Sequence, residues 1–311
     1  MTEPVEQIEV AAEVLGARAK RDAPLGALTT YRVGGPAALF VQVERDDDLW
    51  LVGRAVQASG IELLVIGRGS NLLVSDAGFA GLAIRLGPPY ERVEVQGTVV
   101  RAGGATPLPA LARRTAAAGL RGLEWAVGVP GSVGGAVRMN AGGHGSDIAA
   151  TLREIRAVDV VAGQDAPVPV DALDLSYRHS AIGPSTVVAE AVFALEHGSA
   201  AEAEQVVADV VRWRRVHQPG GQNAGSVFTN PPGDSAGRLI EAAGCRGLRL
   251  RTAMVSDKHA NFVQADPGGK ADDVLALLRT VQSRVEEACG VVLHPEVRLV
   301  GFANSPAEVE G

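Results

Sequence analysis

At 311 residues the chain is long enough for two or three domains, and 46% hydrophobic residues supply their cores. Its 29 basic and 36 acidic residues give a net charge of −7, which argues against nucleic acid or an anionic membrane as partner. Cys245 and Cys289 lack Cys-x-x-Cys spacing, so a reducing compartment without structural zinc is expected. The start, Met1-Thr-Glu-Pro, has no basic stretch followed by an apolar one, and no apolar run approaches the roughly 18 residues of a membrane span. A cytoplasmic protein is expected.

In chain order, Val5, Ile8, Ala12 and Leu15 recur at helical spacing and predict a leading helix over 5–18. A strand is predicted over 37–43. Asp46, Asp47 and Asp48 then suit the first turn of a helix running to about 58. Strands over 62–66 and 81–86 complete a small α/β unit, 30–87. After the Gly87-Pro-Pro turn, alternation at 92–95 and 99–101 predicts a hairpin. A helix over 107–118 ends at Gly119. The glycine-rich run 123–143 follows, then strands over 153–161 and 186–194. A strong amphipathic helix over 200–216 leads into a linker at His217-Gln-Pro-Gly-Gly-Gln. The third unit, about 220–300, has helices near 235–243 and 271–288 and strands near 260–264 and 296–300. This mixed order predicts an α+β protein of several small domains.

The 123–143 run cannot be an ordinary helix or strand on propensity, because glycine costs backbone entropy in both. It offers bare N–H groups to a bulky anion. Known nucleotide loops do not account for it. Gly269-Lys270 is followed by Ala271 and lacks the P-loop hydroxyl, while Gly67-Arg-Gly69-Ser-Asn-Leu72 lacks the third Rossmann glycine. The turn at Gly67, Arg68, Gly69, Ser70 and Asn71 could bind a pyrophosphate through successive N–H groups, or be a plain strand–strand turn. Two such loops together favour a large dinucleotide between two domains.

Three further segments carry candidate chemistry. Arg178, after Tyr177, could anchor a carboxylate or be a surface arginine. Ser226, between Gly225 and two apolar residues, suits proton donation to a developing carbanion, or is structural. It is not a hydrolase elbow, since Phe228 stands where that motif needs glycine. Glu296 and Arg298, two apart on a predicted strand, would share a face and either polarise a substrate or pair with each other. The histidines at 144, 179, 197, 217, 259 and 294 form no metal-ligand spacing, so no metal is expected.

Together these segments resemble the UDP-N-acetylenolpyruvoylglucosamine reductases of bacterial peptidoglycan synthesis. The resemblance runs from Thr29-Thr-Tyr-Arg-Val-Gly-Gly-Pro-Ala to Pro295-Glu-Val-Arg, most of the chain. It includes Gly67-Arg-Gly-Ser-Asn-Leu-Leu, Gly128-Val-Pro-Gly-Ser-Val-Gly-Gly-Ala, Tyr177-Arg-x-Ser, Gly225-Ser-Val-Phe-x-Asn-Pro, Ala236-Gly-x-Leu-Ile-Glu and Lys258-His-Ala-Asn-Phe, in the family's order. It implies a vanillyl-alcohol-oxidase/PCMH-like flavin fold: FAD-binding subdomains at 1–87 and 88–217, a substrate domain at 218–302, and an acidic tail at 303–311. It also implies NADPH as hydride donor and a UDP-sugar enolpyruvyl ether as substrate, handled by a monomer.

Carried onto this sequence, the resemblance makes Arg178 the binder of the substrate carboxylate. Glu296, protonated, shares the developing charge, and Ser226 protonates C2. FAD falls to Gly67, Arg68, Gly69, Ser70, Asn71, Gly128, Pro130, Gly131, Ser132, Gly134, Gly135, Ala136, Tyr177 and Arg298. The UDP-sugar falls to Asn230, Arg214, Arg215 and His259. Between Arg178 and the helix at 200 the chain lacks the tyrosine-bearing loop of one family branch, which leaves basic residues of 212–215 as candidates to cover the diphosphate. Two rival readings are another FAD oxidase of the same superfamily, which needs no carbanion-protonating serine, and a silent nucleotide-binding module, which predicts losses in the C-terminal third.

Overall fold

Helical stripes and alternating apolar segments form seven α-helices and several small sheets among residues 3–302, which a computed structural model describes. The expected tail, 303–311, lies outside the described residues. Two compact units result. One takes residues 3–21, 38–68 and 80–214, and the other takes 22–37, 69–79 and 215–302. This grouping differs from a division in chain order, because 22–37 and 69–79 pack with C-terminal residues.

In the first unit, α1 (Pro4–Leu15) and α2 (Asp46–Ser59) share a core with a four-stranded sheet. Its strand order is Lys20–Ala23, Ala37–Val43, Phe79–Leu86, Leu63–Val65. The last two run parallel, with Leu63 opposite Leu82 and Val65 opposite Ile84. Leu39, Val41, Leu82 and Ile84 meet Leu49, Val52 and Ala55 of α2, which gives this layer its dry interior. The three acids do open α2. Buried Asp48 accepts the N–H groups of Glu44 (2.9 Å) and Arg45 (3.2 Å), satisfying orphan donors at the helix start.

The same unit holds a five-stranded antiparallel sheet, ordered Gln164–Pro169, Leu152–Asp159, Thr186–Ala194, Val99–Gly103, Val93–Gln96. The hairpin expected near 92–101 is its edge. Against it lie α3 (Leu108–Ala117), α4 (Val133–Arg138) and, up to Arg214, α5 (Ala200–His217). The glycine run corrects the sequence expectation. Glu124–Gly128 is a 3₁₀ turn and Val133–Arg138 a six-residue helix. Tertiary contacts override propensity here: Val133 and Gly134 donate their N–H groups to the carbonyls of Thr106 and Gly104, both at 2.9 Å, and Ser132 caps the helix.

The second unit is organised around α6 (Ala236–Ala242) and α7 (Ala271–Cys289). A three-stranded antiparallel sheet, Arg249–Leu250, Ala253–Val255 and Val263–Ala265, packs on α7 through Val255, Val263, Val274, Leu277 and Val281. Both carboxylate oxygens of Asp76 sit on the start of α7, accepting the N–H groups of Ala271 and Asp272 at 3.0 Å. A short parallel pair, Leu72–Val74 with Arg298–Val300, places Arg298 opposite Leu72. The strand predicted over 296–300 therefore begins only at Arg298.

Candidate active site

The first unit carries a cleft of about 580 Å³ whose lining includes Gly67, Arg68, Gly104, Ala105, Ser132, Gly134 and Gly135. Two loops far apart in sequence thus meet on one surface. Close backbone packing explains its glycines. A Cβ on Gly104 would lie 1.9 Å from the Val188 carbonyl oxygen, and one on Gly67 would lie 2.4 Å from Ser132 Oγ. At Gly67 and Gly104 the cleft floor is therefore backbone, among side chains such as Ile66, Leu86 and Val188 that also line the cleft.

The two loops that the sequence offers as donors differ in how many N–H groups they leave open. At the 131–136 loop, the N–H groups of Val133, Gly134, Gly135 and Ala136 are all taken by Thr106, Gly104 and Ser132. By contrast, none of the N–H groups from Gly67 to Asn71 donates to an acceptor among the described residues. Of these, Gly67 and Arg68 border the cleft, whose lining includes three arginines, Arg68, Arg85 and Arg138, and one carboxylate residue, Glu91. Free backbone donors, net positive charge and a glycine floor fit FAD, an anionic cofactor with a flat ring system.

Of the other cofactor candidates in this unit, Gly128, Pro130, Gly131 and Ala136 fall outside the cleft lining. Gly128 packs against the stem of Arg214, which a Cβ would meet at 3.1 Å, and Gly131 accepts the Leu108 N–H. The lining that the sequence did not single out, Arg85, Gly104 and Thr186–Val188 among it, comes from strands and turns without a motif. Arg138 spans to the carbonyls of Ile182 (2.5 Å) and Gly183 (2.7 Å), closing one side.

Tyr177 and Arg178 are the centre of a tight turn in which Ser176 and His179 exchange both backbone hydrogen bonds. Arg178 adopts φ +59°, a sparsely populated region for an arginine. Its guanidinium lies 5.0 Å over the Tyr177 ring and donates to the Gly142 carbonyl at 3.3 Å. Buried Asn140 fixes the turn's base, donating to the Ser176 carbonyl (2.9 Å) and accepting the Ala149 N–H (3.0 Å). Near Gly128, burial pulls the Arg214 guanidinium down, and burial together with the Arg214 charge pulls the His144 imidazole down. The His144 ring meets Trp213 edge-on at 4.9 Å.

In the second unit, Ser226 and Glu296 are neighbours through Val227. Ser226 pairs with Phe262 and Phe228 with Pro295, while the Glu296 N–H donates to the Val227 carbonyl at 2.8 Å. The Val297 N–H reaches the same oxygen at 3.5 Å, so the chain bends there. Glu296 and Arg298 are therefore not alternate residues of one strand, and the expected shared face does not follow from strand geometry. Asn71 ties this segment down instead. Its side-chain amide donates to the Glu296 carbonyl (2.9 Å), and its own carbonyl accepts the Arg298 N–H (3.0 Å).

The expected UDP-sugar residues of this unit also have internal duties. The Asn230 side-chain oxygen accepts the Ala236 N–H at the start of α6 (3.0 Å), and the Arg215 carbonyl accepts from Lys258 Nζ (2.6 Å). Nδ1 of His259 accepts the Asn261 N–H at 3.2 Å and its ring packs on Phe262 at 4.8 Å; burial pulls its imidazole down. Among the described residues, no group of three His, Cys, Asp or Glu side chains could hold a metal, and no helix is long and apolar enough to cross a membrane.

Two family models match the chain: an FAD binding domain over residues 37–165, and the C-terminal domain of UDP-N-acetylenolpyruvoylglucosamine reductase over 216–300. The chain is 42% identical over 295 residues to the UDP-N-acetylenolpyruvoylglucosamine reductase of Synechococcus sp. (strain RCC307), covering 93% of this chain and 96% of the relative. It is 41% identical to UDP-N-acetylenolpyruvoylglucosamine reductase 2 of Symbiobacterium thermophilum, covering 91% and 92%. The crystal structure of the Thermus caldophilus UDP-N-acetylenolpyruvylglucosamine reductase superposes with a TM-score of 0.79 at 36% identity, covering 91% of this chain and 99% of that one. The architecture is accordingly the α+β, PCMH-like FAD-binding fold. With identity at this level along nearly its whole length, the chain belongs to the UDP-N-acetylenolpyruvoylglucosamine reductase family.

Proposed function

We propose that the chain is an FAD-dependent, NADPH-driven reductase that converts UDP-N-acetylglucosamine-enolpyruvate to UDP-N-acetylmuramate, in the cytoplasm, for peptidoglycan precursor synthesis and hence cell shape and division. The observation that carries this reading is that the backbones of the Ser226 and Glu296 segments meet at the Val227 peptide, whose carbonyl accepts the Glu296 N–H at 2.8 Å. When bound, FAD would supply the hydride at C3 of the enolpyruvyl group, drawn from NADPH.

The protein's own residues then have a charge and a proton to manage. Negative charge developing on C2 and the adjacent carboxylate calls for a rigid cation, and Arg178 supports that role with its turn conformation and its Tyr177 and Gly142 contacts. Glu296, as the neutral acid, shares the charge by donating a hydrogen bond. Ser226 gives its hydroxyl proton to C2, which completes reduction of the double bond. Gly67 and Arg68 hold the cofactor diphosphate through backbone N–H groups, at a cleft that Ser132, Gly134 and Gly135 also line. Asn230, Arg214, Arg215 and His259 take the UDP-sugar. The functional division is two FAD-holding subdomains, 1–87 and 88–217, and a substrate domain, 218–302, in a monomer.

The test is NADPH oxidation by the flavin-loaded protein, with the product weighed. The proposal expects consumption that depends on UDP-N-acetylglucosamine-enolpyruvate and a product heavier by two hydrogens. Consumption that ignores this substrate would refute it.

A further inference from the structure

The segment carrying Ser226 is held by an amide outside the expected catalytic set. Val227 and Phe228 are fully buried, so their four backbone polar groups need partners inside the protein. The Val227 carbonyl takes the Glu296 N–H at 2.8 Å, and Asn261 supplies the other three partners. Its backbone carbonyl accepts the Val227 N–H (2.9 Å), its Oδ1 accepts the Phe228 N–H (3.1 Å), and its Nδ2 donates to the Phe228 carbonyl (2.8 Å). Asn261 is itself 3% exposed, which leaves its amide no solvent to turn to.

We propose that Asn261 is a positioning residue for proton delivery: by clamping both backbone groups of Phe228 it fixes the strap on which the Ser226 hydroxyl is presented. The inference rests on the reading of Ser226 as proton donor. A side-chain amide can pair with a peptide N–H and a C=O at once, and it does so here in place of a neighbouring strand. Without it, two buried groups lose their partners and the strap must shift to recover them. Proton transfer requires hydrogen-bond reach, so a small displacement of Ser226 lowers the protonation rate while hydride donation to the flavin is left alone.

The test follows flavin absorbance by stopped flow in Asn261→Leu, Ser226→Ala and the double variant, with FAD content and substrate affinity by calorimetry as controls. Asn261→Leu is expected to reduce flavin with NADPH within about twofold of wild type and to slow substrate-driven reoxidation at least about tenfold. Because Asn261 acts through Ser226, adding Asn261→Leu to Ser226→Ala should slow reoxidation no further. Asn261→Asp, equal in size and able to accept the Phe228 N–H but not to donate to its carbonyl, provides the same comparison if the leucine variant does not fold. Wild-type reoxidation in the Asn261 variants, or slowing that multiplies in full with that of Ser226→Ala, would overturn the inference alone. Wild-type reoxidation in Ser226→Ala would overturn the proton-donor reading on which it stands.

Discussion

In the unit that holds the cleft, the proposed working surface includes main-chain groups: the Gly67 and Arg68 N–H groups, the Gly104 floor and the capped turn at Ser132. In the other unit it is side chain, with Ser226 and Glu296 presented on segments that Asn261 and Asn71 hold by their amides. The contrast matches the tasks proposed for the two regions. Holding a large anionic cofactor needs many moderate donors and room for close approach, which backbone and glycine supply. Delivering one proton needs a single titratable or hydroxylic group in a narrow position, which demands a side chain and buried supports. The two regions should therefore fail differently when altered.

A large break is expected at Arg178, a side-chain function proposed for the cleft unit. Arg178→Ala should keep its flavin yet lose about 10²–10³ in kcat, since it removes a cation aimed at developing charge. Steady-state kinetics with a flavin absorbance ratio checks both halves. Gly104→Ala should do the reverse. With its Cβ 1.9 Å from the Val188 carbonyl oxygen, overpacking costs about 1–3 kcal/mol and weakens flavin retention about tenfold, read by fluorescence of released FAD.

Away from both sites, Asp76→Ala should cost about 1 kcal/mol by uncapping α7, with flavin content unchanged in a thermal melt. The smallest effect concerns His259. Burial holds its imidazole below the ordinary 6.5, so the folded chain prefers the neutral ring. Unfolding then takes up a proton as pH falls below about 6.5, and stability declines through that value on acidification. His259→Gln should flatten that decline by about 1 °C in Tm across pH 7 to 5. His144, shifted in the same direction, keeps some slope.

The residues proposed for the chemistry stand out in the sequence by their side chains: a serine between glycine and apolar residues, an arginine after tyrosine, a glutamate two before an arginine. The supports were less so. Asn71, Asn140 and Asn261 each bond to segments dozens to hundreds of residues away, and an asparagine in a loop gives no sign of which distant carbonyl it will meet. Gly104 becomes intelligible only once strand Val99–Gly103 pairs with Thr186–Ala194 and brings Val188 beneath it. Likewise, propensity excluded a helix at Val133–Arg138 that borrowed carbonyls from Gly104 and Thr106 make possible. Local periodicity found the long helices and the hairpin; it could not assign 22–37 and 69–79 to the C-terminal unit, since that grouping depends on contacts remote in sequence.

The central claim, that one region holds the cofactor and the other delivers the proton, is tested most directly by Ser226→Ala followed through its two half-reactions in a stopped-flow spectrophotometer. Expected are wild-type flavin content, wild-type bleaching of the flavin by NADPH, and reoxidation by UDP-N-acetylglucosamine-enolpyruvate slowed about 10²–10⁴-fold. Reoxidation at the wild-type rate, or loss of flavin from the variant, would contradict it.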